Sequence, residues 1–434
     1  MSHSPSTVSF HTVGCRLNQA ETARMRGLFE QAGYRIVRFG SVCDVCVIHG
    51  CAVTARAFKD TRLAARAAAR LKPRPFIVVA GCAATFGGEH LVKERLADLI
   101  AGQADKFRLP DLLATRGFPR TESGTEWILP VFDRTRAIIK VQDGCDFRCA
   151  YCVVPGLRGP PQSRPAGEIL REIAGLADRG CREFVLTGAN LGCYRHEGKD
   201  LVWLLERIER LPGVTRVRLS SLELSTVERD VADFLAGSIA FCRFLHLPMQ
   251  SGDDRLLAAM GRRYRSRDYK AAVEYFMKKV GLMGLGTDVI VGFPGEDEAA
   301  FEATCRLLRE FPITRLHVFA FSPRPGTTAM ALPGHVPSGL IRERVTRLRQ
   351  VARQCEETFA RIWIGKSVSV LIEGRALTGG GGRGWTREYV HVHVDGASAR
   401  RNEIVEVVPD HAQGAHLHAV LSPPKDMKWQ AGEK

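Results

Sequence analysis

The feature that most constrains this chain is a loop of three cysteines, Cys145-Asp146-Phe147-Arg148-Cys149-Ala150-Tyr151-Cys152. The spacing is C-x3-C-x2-C, directly after a strand candidate at Ala137–Val141. Three thiolates on one short loop can hold three irons of a cubane cluster and leave the fourth iron without a protein ligand. A structural zinc site asks for four closed ligands, and the motif contains no fourth Cys or His. An open iron can bind a small chelating molecule instead. Structural thiols packed in a core would not call for this spacing beside a strand end.

The remaining cysteines of the thirteen fall into a dispersed trio, a close pair and isolated positions. Residues 1–10 lack a basic start followed by an apolar stretch, so a cytosolic chain with reduced thiols is expected. Its longest near-unbroken apolar run, Phe76–Ala84, is far too short to span a bilayer. Cys15, Cys51 and Cys82 occur in Gly14-Cys15, His49-Gly50-Cys51 and Gly81-Cys82, after strand candidates at Thr7–Val13, Asp44–Ile48 and Phe76–Ala80. Ligands of open α/β sheets gather at the carboxyl ends of parallel strands, and glycine permits a tight turn around a bulky ligand. The three thiols could meet there and hold a second cluster; three buried free cysteines would show the same spacing. Cys43-Asp44-Val45-Cys46 opens an apolar strand and not a helix, which fits packed thiols better than a redox pair or half a zinc site. Cys181, Cys193, Cys242, Cys305 and Cys355 are isolated and receive no role.

At 434 residues the chain needs two to three domains. Usage of 45% apolar and 25% charged residues excludes wholesale disorder. The fold class expected is α/β. In residues 1–125, helix patterns at Asn18–Ala32, Ala55–Leu71 and His90–Ile100 interleave with the strands, which argues for a parallel sheet covered on both faces. Residues 102–130 lose periodicity and read as a linker. A second block, 131–363, carries strand candidates at Ala137–Val141, Glu183–Leu186, Val214–Leu219, Phe244–Leu247, Gly286–Val291 and Leu316–Phe321. Six β/α units suggest a partial barrel. Pro323–Pro337 reads as a loop and Ser338–Trp363 as a long basic helix. In 365–434 the short strands Val368–Ile372, Tyr389–Val394, Ile404–Val408 and Leu417–Leu421, broken by the Gly379–Gly382 run, suggest a small β-barrel.

The cluster loop resembles that of the radical SAM superfamily, whose members use S-adenosylmethionine (SAM). The wider set of motifs resembles one family within it, the methylthiotransferases. The likeness runs from residue 7 to about residue 422. It is carried by Gly14-Cys15-Arg16-Leu17-Asn18, Cys51-Ala52-Val53-Thr54, Gly81-Cys82, the 145–152 loop, Ser163-Arg164-Pro165, Leu219 to Glu223, His246 to Gly252, Met260 to Tyr264, Thr287 to Glu296 and Phe321 to Thr327. The resemblance implies an N-terminal three-cysteine domain, a radical SAM partial (β/α)6 barrel and a C-terminal TRAM-like RNA-binding β-barrel. It implies two 4Fe-4S clusters, with Cys145, Cys149 and Cys152 holding the SAM cluster and Cys15, Cys51 and Cys82 an auxiliary one. Tyr151 takes the position that caps the adenosyl group. Gly188, Ala189 and Asn190 fall near the methionine part of SAM, Val289 to Gly292 along the adenine, and Arg262 where a fork donor could hold the SAM carboxylate.

Within the family, Ile139-Lys140-Val141-Gln142-Asp143-Gly144 before the loop and the compact stretch from Cys82 to Cys145 look like the branch that modifies N6-threonylcarbamoyladenosine at tRNA position 37. The isopentenyladenosine branch, the branch acting on an aspartate of a ribosomal protein, and a non-catalytic iron–sulfur RNA-binding protein are the competing readings. His49-Gly50 stands where the family usually has Asn-Thr, Gly156 where Tyr is usual and Leu224 where Pro is common. None of these removes a cluster ligand.

An adenine C2–H is neither acidic nor electrophilic enough for ordinary acid–base catalysis, so its replacement by sulfur calls for a radical route carried by cofactors. The resemblance implies one SAM split to a 5′-deoxyadenosyl radical, a second SAM as methyl donor, and sulfur presented by the auxiliary cluster. A sulfur source and an electron donor such as flavodoxin or ferredoxin are implied as partners. The net charge of +15 suits a polyanion. Arg62, Arg66 and Arg70 form one helix stripe, extended by Lys59, Lys72 and Arg74, and Arg342, Arg344, Arg347, Arg349 and Arg353 stud the later helix. Trp385 and Tyr389 could stack on bases of a single-stranded anticodon loop or pack in a core. His391 and His393 alternate with valines, so both point away from the valine face, toward RNA or solvent.

Overall fold

The computed structural model describes residues 5–118, 128–132, 135–375 and 381–421. In the first block the strands are β1 (Thr7–Thr12), β2 (Arg35–Val37), β3 (Val45–Gly50), β4 (Phe76–Gly81) and β5 (Leu99–Ala101). The helices are α1 (Arg16–Gln31), α2 (Ala55–Ala69), α3 (Cys82–Lys93) and α4 (Leu109–Ala114). All strands run parallel in the order β2-β1-β3-β4-β5. Every residue of β3 is buried, as expected of a strand covered on both faces. Val8, Met25, Phe29, Val45, Val47 and Val78 fill one face; Cys46, Ile48, Ala64, Ala68, Ile77 and Val79 fill the other. Cys43 and Cys46 are therefore core thiols, and burial pushes Cys46 up to about 11.

Two expectations fail here. The helix placed at 90–100 begins at Cys82, because Gly81, with φ +79°, turns the strand straight into it. Leu99–Ala101 instead extends the sheet beside Val78–Ala80. The linker placed at 102–130 is partly structured: Leu109 and Leu113 of α4 sit in the core of the sheet, and residues 128–132 run back along α1, where the Val131 N–H donates to the Ala23 carbonyl. The boundary at 125 lies outside the described residues.

The second block holds β6 (Arg136–Lys140), β7 (Gln142–Asp143), β8 (Gln162–Ser163), β9 (Glu183–Thr187), β10 (Arg216–Leu219), β11 (Phe244–His246), β12 (Gly284–Val291) and β13 (Ile313–Ala320). Between them lie α5 (Val154–Arg158), α6 (Ala166–Asp178), α7 (Leu201–Glu209), α8 (Arg229–Gly237), α9 (Asp254–Ala259), α10 (Ser266–Val280) and α11 (Glu298–Arg309), and α12 (Ser338–Arg361) follows. Two parallel three-stranded ladders, β6-β9-β10 and β11-β12-β13, are joined by parallel bridges Val217↔Phe241 and Ser221↔His246. The result is an arc of six parallel strands, the expected partial barrel. Its core combines strand residues such as Ile139, Phe184 and Val289 with helix residues such as Ile169, Leu204 and Phe276.

The last block is a six-stranded sheet of β14 (Val368–Arg375), β15 (Gly382–Thr386), β16 (His391–Asp395), β17 (Ile404–Val407), β18 (His411–Gln413) and β19 (His416–Val420). Its order is β17-β14-β15-β16-β19-β18. Val370, Val392, Val394, Leu417 and Ala419 form its core with Phe359 from α12. Strands β15 and β18 escaped the sequence reading; the glycines of β15 and the shortness of β18 hide their alternation. Residues 379–380 of the glycine run, and 422–434, lie outside the described residues.

Arg216 and Arg218 on β10 are almost wholly buried and donate to backbone carbonyls of Ser369, Trp385 and Arg387. Glu183 pairs with both. These contacts seat the last sheet on the barrel. Tyr389 belongs to the same junction: it stacks on Phe244 and Trp385, and Arg16 and Arg136 donate to its hydroxyl. It is buried and not a base-stacking platform.

Candidate active site

The cluster loop is fixed by its backbone. Gln142–Asp143 pairs with Gln162–Ser163 below it, the Cys145 N–H donates to the Gly159 carbonyl, and the Ala150 N–H donates to the Met260 carbonyl. Gly144 (φ +70°) is required, because a Cβ there would lie 2.0 Å from the Pro160 oxygen. Each sulfur has its own donor: Phe147 N–H to Cys145 Sγ at 3.5 Å, Val154 N–H to Cys152 Sγ at 3.4 Å, and Arg262 Nη1 to Cys149 Sγ at 3.5 Å. Donors aimed at all three sulfurs suit thiolates. Burial pushes Cys152 up to about 12, and a bound cation would draw its proton off.

Of the residues that the resemblance assigns to SAM, Tyr151, Arg262 and the 188–190 turn meet this loop, while Val289 packs into the main core and Gly292 against α12. Arg262 donates to the hydroxyls of Tyr151 and Tyr264 and pairs with Glu223. It is not a solvated surface arginine, and Glu223, four residues beyond β10, is a partner that no spacing announced. Gly188, Ala189 and Asn190 leave the end of β9. The Gln142 side-chain oxygen accepts from the Asn190 N–H at 2.9 Å, and a Cβ on Gly188 would lie 2.8 Å from that same oxygen. Gln142 also donates to the Gly144 carbonyl at 2.8 Å, which ties this turn to the cluster loop. On β12, Val289 packs into the main core while Ile290 packs with Ala150 and Tyr151, as strand alternation dictates. Gly292 (φ +80°) sits where a Cβ would meet Ile341 of α12 at 2.4 Å. Asp288, on the Ile290 side, joins His246 and His317, and His246 continues to Ser221.

Cys15, Cys51 and Cys82 follow the carboxyl ends of β1, β3 and β4, three adjacent parallel strands. Cys15 precedes α1 and is exposed, while Cys51 and Cys82 are buried. Gly14 lets the strand ends close up, since a Cβ there would lie 3.1 Å from Cys51 Sγ. The three thiols are near enough that Cys15 and Cys82 both act on the ionisation of Cys51. Gln103 donates to Cys82 Sγ at 3.3 Å. Arg324 lies beside the same trio. It is 5% exposed, lies over the Phe86 ring at 4.2 Å, and is close enough for the Cys51 sulfur to act on its charge. Its Nε and Nη2 are buried with no hydrogen-bond partner. A cationic fork with free donors beside a thiol trio fits an anionic iron–sulfur cluster.

One short helix joins the two trios. From α5, Leu157 packs with Ala52 and Cys82, and Arg158 reaches Asn18, Glu21 and Asp143. Glu21 also holds Lys106 and Lys140, and His49 Nε2 lies 3.5 Å from it. Burial pushes the Glu21 carboxyl up, but Lys140, Lys106 and Arg158 outweigh it and leave it well below the usual carboxylate range. His49, the departure from the family pattern, belongs to this node, and Gly50 fits because a Cβ would meet Ala83 and Thr61 at 2.5 Å. Gly156 faces open space, and Leu224 is buried at the start of a 3-10 turn.

Part of the basic surface has other work. Arg62 and Arg66 pair with Glu94, and Arg74 with Asp98. Arg344 is buried against Glu296, and Arg347 pairs with Glu298 and Glu302. Arg70, Arg342, Arg349 and Arg353 are exposed.

An arc of six parallel strands with a three-cysteine loop at its mouth defines a radical SAM protein, and residues 139–308 match the radical SAM superfamily. Residues 7–102 match the uncharacterized protein family UPF0004. The threonylcarbamoyladenosine tRNA methylthiotransferase MtaB of Chlamydia pneumoniae is 36% identical over 373 residues, 85% of this chain and 87% of that protein. The tRNA-2-methylthio-N(6)-dimethylallyladenosine synthase of Cereibacter sphaeroides is 32% identical over 417 residues, 91% of this chain and 94% of that protein. Among solved structures, the radical SAM methyltransferase TsrM of Kitasatospora setae has the same fold, with a TM-score of 0.55 at 15% identity over 75% of this chain and 77% of that one. The chain belongs to the methylthiotransferase family of radical SAM enzymes. SAM and a 4Fe-4S cluster come with that membership. No helix among the described residues is long and apolar enough to cross a membrane.

Proposed function

We propose that this enzyme is a tRNA methylthiotransferase that places a methylthio group at C2 of N6-threonylcarbamoyladenosine at position 37. The carrying observation is the meeting of the two cysteine trios across α5, through Leu157 at Cys82 and Arg158 at Asn18. Likeness to MtaB relatives over 85% of the chain supports the branch. Cys145, Cys149 and Cys152 hold the SAM cluster, and Cys15, Cys51 and Cys82 hold a second, auxiliary 4Fe-4S cluster. When bound, these groups and SAM supply the radical that takes hydrogen from carbon and the sulfur that replaces it. The protein's part is placement. Arg262, held by Glu223 and Tyr264, presents a fork donor beside Cys149 for the SAM carboxylate. Tyr151 and Ile290 form an apolar wall for the adenosyl group, and the Gly188–Asn190 turn admits the methionine part.

The anticodon loop enters between the trios. Exposed arginines of α12 and the C-terminal, TRAM-like sheet supply attraction for the tRNA backbone. A reductant of the flavodoxin or ferredoxin kind and a sulfur source complete the partner set, and a tRNA substrate places the enzyme in the cytoplasm. Nucleoside mass spectrometry of tRNA from a strain lacking the gene tests the assignment. We expect 2-methylthio-N6-threonylcarbamoyladenosine to disappear and its unthiolated precursor to accumulate. Loss of the isopentenyladenosine derivative instead would move the enzyme to the other branch.

A further inference from the structure

One face of the last sheet carries five histidines, and two of them, His391 and His416, line a cavity with Arg315 of β13 and Glu356 of α12. Strand β16 offers His391 and His393 on one face, two residues apart, while Val392 and Val394 turn into the core. Its parallel neighbour β19 sets His416 opposite His391 and His418 opposite His393. On the far side His411 of β18 stacks on His418 at 4.6 Å.

Within this row three imidazoles converge. The rings of His391 and His416 are 4.7 Å apart, those of His391 and His393 are 4.9 Å apart, and one ring nitrogen from each of the three lies within 4.8 Å of the others. The Nδ1 of His391 is buried with no hydrogen-bond partner, a state that costs free energy unless something binds there. His416 is exposed and opens the group to solvent. The other convergence of this kind, His246, Asp288 and His317, is already closed by a hydrogen bond between His317 and Asp288 and another between His246 and Ser221.

We propose that His391, His393 and His416 form a binding site for a first-row divalent cation of the zinc class, separate from both iron–sulfur sites. A donor set of three imidazoles without carboxylate or thiolate suits zinc, nickel or copper and disfavours magnesium and calcium. Nitrogens 4.8 Å apart or less need only a small inward shift to reach bonds of about 2.0–2.1 Å. The fourth position faces solvent and takes water or an anionic oxygen. Nothing in this site depends on the substrate of the enzyme.

The test uses the full chain with its clusters in place, mixed with zinc chloride and gel-filtered, with zinc and iron then measured per chain. About one zinc should be retained by the wild type, and less than a tenth of that by His416→Gln or His393→Gln, with iron unchanged in all three. His416 is exposed, so its replacement leaves the fold intact. Zinc X-ray absorption should show nitrogen neighbours at about 2.0 Å and no sulfur at about 2.3 Å. Absence of retained zinc in the wild type, equal retention in both variants, or a sulfur shell marking zinc in the cysteine sites would each overturn the proposal. Lost iron with zinc retained on nitrogen neighbours alone would count against the cluster assignment and leave the histidine site standing.

Discussion

Arg324 shows how one residue reports on a ligand. A buried guanidinium with unpartnered donors costs free energy, and an anionic cluster beside Cys51 would offset it. Arg324→Met should therefore stabilise the cluster-free protein by about 1–3 kcal/mol and destabilise the cluster-loaded one. Thermal melts with and without reconstitution decide this; the same sign in both states would remove Arg324 from the auxiliary site. Cys149 supplies the second residue-scale test. Its sulfur faces Arg262, so Cys149→Ala should abolish reductive SAM cleavage, read as 5′-deoxyadenosine formation. Retained product would refute its assignment.

At the scale of elements, both sites are built on strand ends. The auxiliary trio needs β1, β3 and β4 to be neighbours, and the cluster loop needs the β7–β8 pair beneath it. Gly144 is the tightest point of that support. A methyl group there would meet the Pro160 carbonyl at 2.0 Å at a backbone angle that L-residues resist. Reconstituted wild type should carry about eight irons, the sum of two cubanes. Gly144→Ala should fall to about four while circular dichroism stays unchanged. A full iron complement in the variant would show that the loop tolerates the shift.

For the whole molecule, the joints between blocks are ionic. Burial pushes the Glu183 carboxyl up, but Arg218, Arg136 and Arg216 together outweigh it and leave it lowered. A carboxyl lowered in the folded state contributes stability above its unfolded pKa, and that contribution is lost as pH falls through the folded value. Acidification below about pH 4 should thus loosen the last sheet from the barrel, seen as earlier proteolysis between them. Glu183→Gln, which strands buried arginines, should cost about 3–5 kcal/mol at neutral pH. A variant as acid-resistant and as stable as the wild type would refute the role given to this joint. Affinity for tRNA should fall steeply with salt; a flat response would point to a protein substrate.

The order and spacing of cysteines, glycines and apolar runs determined the six barrel strands, the core of the first sheet and the two thiol trios, because strand periodicity and strand-end turns are local properties. Partnership across the chain was not legible. Glu223 for Arg262, Gln142 for Asn190 and Arg324 for Cys51 are separated by long stretches of sequence and meet only when β/α units close into an arc. The same holds for charge: Arg344, Arg347 and Tyr389 look like surface for nucleic acid until folding brings up Glu296, Glu298 and Arg136. Sequence fixes what a residue can do chemically; the tertiary structure decides whether its partner is solvent, substrate or another part of the same chain, since that depends on which distant groups desolvate it.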